Sequence, residues 1–402
     1  MLGSLAKLPE TSERGLQEFL LQMALGPVWM VTRGWSAPEV EAAYARARVL
    51  CGMVGDPAQL FSALQGLFSF HNARGDHFEA RDLAQEALGL AESLREPALL
   101  VLAHCTAGGN AYWRGELGAA REHLEEAIAL YEPERHRTHE SLHGGMDPRV
   151  FALSYLGALD SMLGHPEQGR TRAQEDLQLA GELSHPFNIA HALFWIAVDH
   201  LMAGEPQSAL EQAEALIALA TEQGFPRYLG VGTFLHGWAL VELDQVEDGL
   251  AQLRGVVDVT RAAGMRMGMP ALLRELARAC GRAGLVDEGL AIAEEALELV
   301  EQTGERVRLS ELHATRGELL LAASEGNEAK AEACFRQALD LARSQEARLY
   351  ELRAATRLAR LWQKEGRRDE ARELLAPIYD WFTEGFDTRD LKDAKALLEE
   401  LA

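Results

Sequence analysis

A small turn residue recurs at nearly constant spacing along this chain of 402 residues. It separates apolar stretches, and successive members lie 40 to 42 residues apart except across one interval of 49. The positions are Gly34, Gly75, Gly115, Gly164, Gly204, Asp244, Gly284, Gly326 and Gly366. A period near forty residues indicates stacked structural repeats, each of which buries its apolar face only against its neighbours. The chain is therefore expected to form a solenoid with a long binding surface.

Each repeat is predicted to contain two helices, because the apolar residues around the turn are spaced by three and four. Small residues recur seven positions before the turn, as at Gly157 and Gly237, and five positions after it, as at Gly169 and Gly249. This register predicts a close crossing of the two helices. Prolines stand eighteen residues before four of the turns, where a first helix would begin: Pro57, Pro97, Pro186 and Pro226.

Composition and charge exclude several classes of protein and of partner. The chain has 39 Lys+Arg against 62 Asp+Glu, a formal charge of −23 that repels phosphate backbones, so nucleic acid is not expected as a partner. No stretch approaches the about 18 apolar residues of a membrane span, and no leader sequence is apparent. The four cysteines form no CxxC pair, which fits buried thiols in a reducing cytoplasm: Cys51, Cys105, Cys280 and Cys334.

The large and small residues around the turn resemble the tetratricopeptide repeat. Leu153, Leu156 and Gly157 match the part of its pattern before the turn, and Ala331, Phe335 and Ala338 match the part after it. The standard unit has about 34 residues, however, and HEAT or armadillo repeats, whose length is closer to forty, remain the alternative. We favour an all-α tetratricopeptide-like solenoid, a right-handed superhelix of about nine helical hairpins plus a C-terminal capping helix, because HEAT length alone does not predict the small-residue register.

One solenoid is expected over residues 1–402. Residues 1–54 would form an atypical first hairpin, residues 55–386 eight repeats of about forty residues, and residues 387–402 the capping helix, with Asp387 or Thr388 as its N-cap. Three leucines in the first eight residues look like part of a second helix whose first helix is missing. This suggests that the hairpin is truncated, that Met1 is not the native start, and that self-association through the N-terminal end is possible.

A wider resemblance runs along the whole chain. It is carried by LPETSERGLQEFLLQMALGP (8–27), SAPEVEAAYARAR (36–48), YEPERHR (131–137), EQAEALIALATEQGFP (211–226) and YDWFTEGFDTRDLKDAKALLEEL (379–401). These stretches look like the C-terminal tetratricopeptide region of bacterial STAND-like signalling ATPases, which are often fused to class III adenylate or guanylate cyclase domains. The resemblance implies a sensor or scaffold arm. The motif G-x-x-x-x-G-K-[ST] does not occur, so ATP hydrolysis is not carried over, and no cofactor and no enzymatic activity are expected.

In the tetratricopeptide architecture the first helix of each pair lines the concave groove. The inward positions are first polar: Ser62, Gln65, Ser69 and Asn72. They are then aromatic and apolar: Tyr112, Trp113, Phe151, Met162, His191, Phe194, Leu201, Met202, Phe234 and Trp238. The inward positions nearest the C-terminus are basic, with Glu311 and Glu318 between them: Arg274, Arg278, Arg282, Arg353, Arg360 and Lys364. This order predicts a groove for a peptide or protein partner with apolar side chains and acidic groups.

Two other interpretations of these positions stay open. The aromatic residues can instead form core between repeats, with the arginines on a solvated face beside neighbouring glutamates. The same aromatic residues can also enclose a small-molecule effector. An open groove favours a peptide, whereas an enclosed cavity of several hundred cubic ångströms favours a metabolite.

A zinc-hydrolase motif also occurs once. His139 and His143 stand in HESLH, the spacing that places two imidazoles on one helical face for zinc, and Glu167 lies downstream as a conceivable third ligand. The motif falls in the extra connection of the 49-residue repeat and is followed at once by two glycines, so it lacks the long helix that this chemistry needs. A surface loop is therefore expected, and a zinc hydrolase is the distant alternative.

Overall fold

The computed structural model of the chain describes residues 11–54, 57–133 and 145–402. These residues form nineteen α-helices and no strand. In chain order the helices are α1 (Ser12–Arg33), α2 (Pro38–Val54), α3 (Pro57–Ala73), α4 (His77–Leu94), α5 (Pro97–Trp113), α6 (Leu117–Leu130), α7 (Pro148–Met162), α8 (Pro166–Leu183), α9 (Pro186–Ala203), α10 (Pro206–Gln223), α11 (Pro226–Glu242), α12 (Val246–Ala262), α13 (Met269–Arg282), α14 (Val286–Thr303), α15 (Leu309–Ala323), α16 (Glu328–Ser344), α17 (Arg348–Lys364), α18 (Arg368–Tyr379) and α19 (Arg389–Leu401).

Consecutive helices pair as nine hairpins, and α19 packs alone against the last of them. The odd-numbered helices from α1 to α17 are the first helices of the hairpins, and the even-numbered helices are the second. This architecture confirms the predicted tetratricopeptide-like solenoid of nine hairpins and a capping helix. The three leucines that suggested a truncated N-terminal helix lie outside the described residues.

The recurrent turn residue has a left-handed backbone in every hairpin. The φ angle is 72° at Gly75 and 75° at Gly284, and it is 64° at Asp244, the one position of the series without glycine. Glycine adopts this conformation without steric cost, which explains why it occupies the other eight positions of the series. The four predicted prolines occupy the first position of α3, α5, α9 and α11, where a missing N–H costs no hydrogen bond.

Small residues lie where the two helices of a hairpin cross. A Cβ atom added at Gly249 would lie 2.5 Å from the carbonyl oxygen of Gly237, and one added at Gly169 would lie 2.7 Å from the carbonyl oxygen of Gly157. Real Cβ atoms do not approach backbone this closely. The crossings therefore require glycine, as the small-residue register predicts.

The solenoid winds so tightly that hairpins distant in sequence touch along a line that we call the seam. It joins the turns after α1, α3, α5, α7 and α9 to residues 263–268, 304–308, 345–348 and 381–390. The carbonyl of Ala73, at the end of α3, accepts hydrogen bonds from Arg266 N (3.1 Å) and Met267 N (3.3 Å). The carbonyl of Trp113, at the end of α5, accepts them from Arg306 N (2.9 Å) and Val307 N (3.2 Å). Terminal carbonyls that lack a partner within their own helix are thus satisfied across the seam.

Turn glycines of the early hairpins contact the seam directly. A Cβ atom at Gly115 would lie 2.2 Å from Nε2 of Gln345, and one at Gly164 would lie 2.6 Å from the ring of Trp381. The equivalent Gly366, in the last hairpin, has no such neighbour within 4 Å. In the early hairpins glycine therefore serves two purposes, the left-handed turn and the close approach of the later hairpins.

Side chains also join the two edges of the seam. His77 Nε2 lies 3.4 Å from Glu305 Oε2, and both side chains are buried. The same carboxylate accepts a hydrogen bond from Gly268 N at 2.8 Å. Further along, Glu384 accepts a hydrogen bond from Glu167 N at 3.0 Å, and Glu167 accepts one in return from Gly385 N at 3.1 Å. The seam is thus held by hydrogen bonds as well as by contact.

First and second helices differ in how much of their surface is buried. In α7, 13 of 15 residues are buried, whereas only four of the 18 residues of α10 are buried. A first helix such as α7 packs against second helices on one side and against the interior of the superhelix on the other, so it keeps little polar surface. None of the described helices combines the length and apolar character needed to cross a membrane.

Candidate functional site: the interior of the superhelix

The structure places the predicted aromatic zone in the packed interior. Of its ten residues, Tyr112, Met162, His191, Met202, Phe234 and Trp238 are buried, and the other four, Trp113, Phe151, Phe194 and Leu201, are partly buried. The ring of Tyr112 packs edge-on against those of Tyr155 and Trp195, with centroids 5.0 and 5.5 Å apart. These aromatic side chains therefore contact one another, in the arrangement that the core interpretation expects.

Hydrogen bonds fix the aromatic cluster. Trp113 Nε1 donates to Tyr155 Oη at 3.1 Å, and His191 Nδ1 lies 3.1 Å from Tyr228 Oη. Burial raises the pKa of Tyr155 to about 12, so its hydroxyl stays protonated at neutral pH. Sequence reasoning missed Tyr155, although it follows Phe151 by four residues and so lies one helical turn away on the same face.

The predicted basic zone is paired with carboxylates of the chain itself. Arg274 bonds to Glu275 and also lies 3.3 Å from Glu311. Arg278 pairs with Glu275 at 2.7 Å and with Glu242 at 3.0 Å. Because these guanidinium groups already have partners, they do not form a free cationic wall. The third arginine of this helix, Arg282, likewise pairs with Asp244 at 2.6 Å and with Glu242 at 3.4 Å.

Glu311, on α15, is the centre of this interior network. Its side chain is 3% exposed and lies within 4 Å of Arg274, Arg353 and Arg357. Burial alone would raise its pKa, but the guanidinium groups of Arg353, Arg274 and Arg357 outweigh burial and hold the pKa of Glu311 well below its usual range. The carboxylate is therefore ionised and compensates several cations at once.

Arg353, on α17, connects three parts of the interior. It bonds to Glu311 at 2.9 Å and to both carboxylate oxygens of Asp390, on α19, at 3.0 and 2.9 Å. It also donates to the carbonyl oxygen of Met202, in α9. A guanidinium group has five N–H donors in a fixed planar fork, which suits this bridging role. The capping helix is thus tied to the middle of the chain through one side chain.

The last two predicted basic residues, on α17, face solvent, as Arg282 does on α13, but Arg282 is held by two carboxylates. The side chain of Arg360 is 51% exposed, and its nearest paired carboxylate is Asp393 at 3.8 Å. Lys364, one helical turn later on α17, is exposed as well. Of the predicted basic zone, these two side chains are the most available to an incoming anionic group.

The predicted polar zone is bonded within the fold. Gln65 accepts a hydrogen bond from Thr106 at 2.9 Å, and Asn72 Nδ2 lies 3.1 Å from Met267 Sδ across the seam. Ser62 and Ser69 donate to backbone carbonyls of their own helix. Gln65 and Asn72 therefore connect neighbouring structural elements, whereas the two serines are satisfied within their own helix.

A small cavity lies where hairpins 4 and 5 meet the capping helix. Its volume is about 30 Å³, and Ser161, Asp199, Met202, Phe382 and Asp390 are among the residues that line it. This volume is comparable to that of one water molecule and far below that of a metabolite site.

Three buried carboxyl groups, one on each of α7, α8 and α9, were not foreseen from the sequence. Asp176 accepts a hydrogen bond from Ser154, Asp199 accepts one from Ser161 at 2.7 Å, and Asp160 bonds to Arg172 at 2.6 Å. Burial raises the pKa of all three groups, and that of Asp176 to about 8. The three aspartates lie on helix faces that otherwise pack apolar residues. No pattern in the sequence indicates that they are buried there.

His139 and His143 lie outside the described residues. Glu167, the conceivable third zinc ligand, takes part in the seam through Gly385. Among residues 11–54, 57–133 and 145–402, no group of three or more His, Cys, Asp or Glu side chains is placed to hold a metal ion.

Comparison with protein-family models gave no match. An uncharacterized protein of Rhizobium meliloti (strain 1021) is 24% identical over 350 residues, which are 85% of this chain and 33% of that protein. The chain thus spans about a third of the length of the curated relative that it matches.

Solved structures share the fold at low sequence identity. The Rap protein complexed with Competence and Sporulation Factor matches 96% of this chain and 100% of its own, with a TM-score of 0.62 and 12% identity. NprR in complex with its cognate peptide NprX matches 75% of this chain and 82% of its own, with a TM-score of 0.50 and 15% identity. A STAND protein with a tetratricopeptide repeat sensor, from Pyrococcus horikoshii, matches 98% of this chain and 55% of its own, with a TM-score of 0.47 and 16% identity.

Proposed function

We propose that this chain is a non-catalytic binding module that recognises a peptide or protein partner. The observation that carries the proposal is the likeness to the Rap protein over nearly the whole of both chains, because that protein is complexed with Competence and Sporulation Factor. NprR, which shares the fold over three quarters of this chain, is likewise bound to a peptide. Tetratricopeptide-like solenoids present long inner surfaces to such ligands.

We further propose that the module is the regulatory arm of a larger signalling protein. The matched Rhizobium protein is about three times as long as the aligned region, so the corresponding region there is accompanied by other segments. The resemblance of the sequence to the C-terminal region of STAND-like ATPases supports the same role. The chemistry of signalling would then belong to other domains, and this chain would supply recognition.

The exposed basic side chains Arg360 and Lys364 are proposed to contact acidic groups of the partner. Pairing with them breaks little existing structure, because Arg360 has only a distant carboxylate neighbour. Arg274, by contrast, would have to leave Glu275 and Glu311 in a buried environment, which is costly. The accessible part of the basic zone is therefore the part suited to reversible binding.

The test begins with selection of peptides from a randomised display library against the whole chain, followed by fluorescence anisotropy with an enriched peptide. The variant Arg360→Glu/Lys364→Glu should weaken binding at least about tenfold, equivalent to about 1.4 kcal/mol, because reversal replaces attraction by repulsion. The matched control Lys330→Glu/Arg372→Glu makes the same change of charge at exposed positions on second helices and should bind within about twofold of the unmodified chain.

Circular dichroism of both variants should show unchanged helicity. Failure to enrich any peptide above a library passed over an unrelated protein would count against the binding function. Equal loss of affinity in both variants would retain the binding function but reject the proposed contact site, because the effect would then reflect net charge alone.

A further inference from the structure

Two histidines face each other across the third hairpin. His104 lies on α5 and His123 on α6, and their Nδ1 atoms are 3.1 Å apart. The ring centroids are 5.3 Å apart, and the ring planes are inclined by 48°. Among the described residues, each Nδ1 bonds to the other ring alone. Two imidazole nitrogens are thus brought together at a place that neither the seam nor the interior network uses.

The close crossing of α5 and α6 holds the two rings in position. A Cβ atom added at Gly108, one helical turn after His104, would lie 2.7 Å from Cγ of Leu124 and 3.2 Å from the carbonyl oxygen of Ala120. Leu124 directly follows His123 and is fully buried. Both histidines therefore lie beside a crossing that fixes the separation of the helices, so little ordering is needed to bring their nitrogens to one ion.

The separation of the two Nδ1 atoms fits coordination of a single transition-metal ion. Zn²⁺ binds an imidazole nitrogen at about 2.0–2.1 Å. Two nitrogens at that distance from one ion and 3.1 Å from each other subtend an angle of about 95–102° at the ion, between the octahedral angle of about 90° and the tetrahedral angle of about 109°. Without an ion, one ring donates its Nδ1–H to the other. With an ion, both rings carry their proton on Nε2 and present both Nδ1 lone pairs.

The two imidazoles are available as neutral ligands. Burial lowers the pKa of both His104 and His123, and the proximity of His123 lowers that of His104 further. Both rings are therefore uncharged at neutral pH, which is the state in which histidine binds a metal. Both side chains are also partly exposed, so an ion in solution can reach them.

The charges around the pair favour a cation. Three exposed carboxylates lie close enough to oppose the lowering of these pKa values: Glu92, on α4, and Glu122 and Glu126, on α6. Two arginines are the cations nearest to them in sequence. Arg121, on α6, is paired with carboxylates of its own, and Arg95, at the C-terminal end of α4, is exposed to solvent. Together these groups leave negative charge beside the two imidazoles.

We infer that His104 and His123 form a binding site for a divalent transition-metal ion. The pair supplies two protein ligands, and water completes the coordination. Imidazole ligands suit Zn²⁺, Ni²⁺ and Cu²⁺, of which Cu²⁺ is expected to bind most tightly. A bound ion connects the two helices of the third hairpin and so stabilises it. This inference does not depend on the proposed peptide-binding function.

Isothermal titration calorimetry with Zn²⁺ and with Cu²⁺ tests the site, on protein purified without a metal-affinity tag and freed of metal by a chelator. The reference is the variant His139→Gln/His143→Gln, so that the HESLH motif does not contribute. This reference should bind one ion per chain. His104→Gln and His123→Gln, each added to the reference, should weaken binding at least about tenfold, since loss of a hydrogen-bond partner behind a ligand already costs about 10–100-fold.

His236→Gln is the matched control. His236 Nδ1 lies 2.9 Å from Gln252 Oε1 across the sixth hairpin, so this part-buried histidine also faces a second helix, but its partner there is an amide. Because distant sites act independently, this variant should bind the ion within about twofold of the reference. Circular dichroism of all the variants should show unchanged helicity.

Two further measurements need no substitution at the pair. Electron paramagnetic resonance of the Cu²⁺-loaded reference should show two nitrogen ligands. In native-state hydrogen exchange, Zn²⁺ at about 100 times its Kd should slow the opening of α5 and α6 about 100-fold and leave α11 and α12 unchanged. The inference is overturned if the reference binds no ion, if binding survives His104→Gln or His123→Gln, if the copper spectrum lacks nitrogen ligation, or if His236→Gln causes an equal loss.

Discussion

The crossing of α11 and α12 gives a direct test of how closely the two helices of a hairpin pack. A Cβ atom at Gly249 would lie 2.5 Å from Gly237 O and 2.9 Å from Val241 N. Both neighbours are backbone atoms, so Gly249→Ala forces the helices apart. Gly255 lies in the same helix with no such neighbour within 4 Å, and Gly255→Ala is therefore the matched control.

The expected effects of these two substitutions have opposite signs. Alanine in a helix interior is favoured over glycine by about 0.5–1 kcal/mol, so Gly255→Ala should stabilise the hairpin by that amount. Gly249→Ala gains the same propensity but suffers overpacking that costs about 1–3 kcal/mol. Because propensity cancels between the two variants, the difference in their stabilities measures the crossing cost, about 1–3 kcal/mol.

Native-state hydrogen exchange is the suitable assay, because a solenoid of nine hairpins need not unfold in a single step. Amides of α11 and α12 should exchange roughly 5- to 150-fold faster in Gly249→Ala than in Gly255→Ala, while α3 and α4 should not differ. Equal or greater protection in Gly249→Ala would refute the close crossing and, with it, the reason given for the small-residue register.

Three further changes probe other parts of the molecule. Burial raises the pKa of Asp176 to about 8, so the stabilisation from its bound proton is complete below about pH 4 and is lost as the pH rises through 8. The free energy of unfolding of Asp176→Asn, relative to that of the unmodified chain, should therefore increase by at least about 1 kcal/mol between about pH 5 and pH 9. Thermal unfolding at the two pH values measures this change. Glu311→Gln leaves the buried cation of Arg353 undercompensated and should cost about 3–5 kcal/mol in urea unfolding, and a loss below about 1 kcal/mol would contradict the central position of this carboxylate. Gly164→Leu should raise the radius of gyration in small-angle X-ray scattering by opening the seam at Trp381, whereas Gly366→Leu, with the same left-handed backbone but an open surrounding, should not.

The hairpins were predictable because each is specified by local chemistry. A left-handed turn favours glycine, a helix start tolerates proline, and a helix period groups apolar residues on one face. Asp244 adopts the same left-handed conformation as the glycines. The turn was therefore predictable from the position in the repeat, and not from the residue type alone. The number of hairpins and the capping helix followed from counting these local signals.

The seam was not predictable, because it depends on how far each hairpin rotates relative to the previous one. Ala73 and Arg266 are far apart in sequence, and no local pattern announces that a superhelical turn will bring them together. The interior network was foreseen only in part. The inward register placed Arg274 and Arg353 in one zone, and in the structure both contact Glu311, but the sequence could not show that Asp390 would reach Arg353 from the capping helix.

The hydrogen bonds across the seam restrict which changes in the number of repeats are compatible with the fold. Ala73 pairs with Arg266, and Trp113 pairs with Arg306, at an identical separation of 193 residues. Duplication or deletion of a hairpin between Ala73 and Arg266, or between Trp113 and Arg306, would place a different repeat opposite each terminal carbonyl. The two sides of the seam would then no longer match. Open solenoids tolerate such changes, whereas here insertions are expected to accumulate in connections, as between Leu130 and Pro148, and the repeat number between the paired edges should stay constant among homologues.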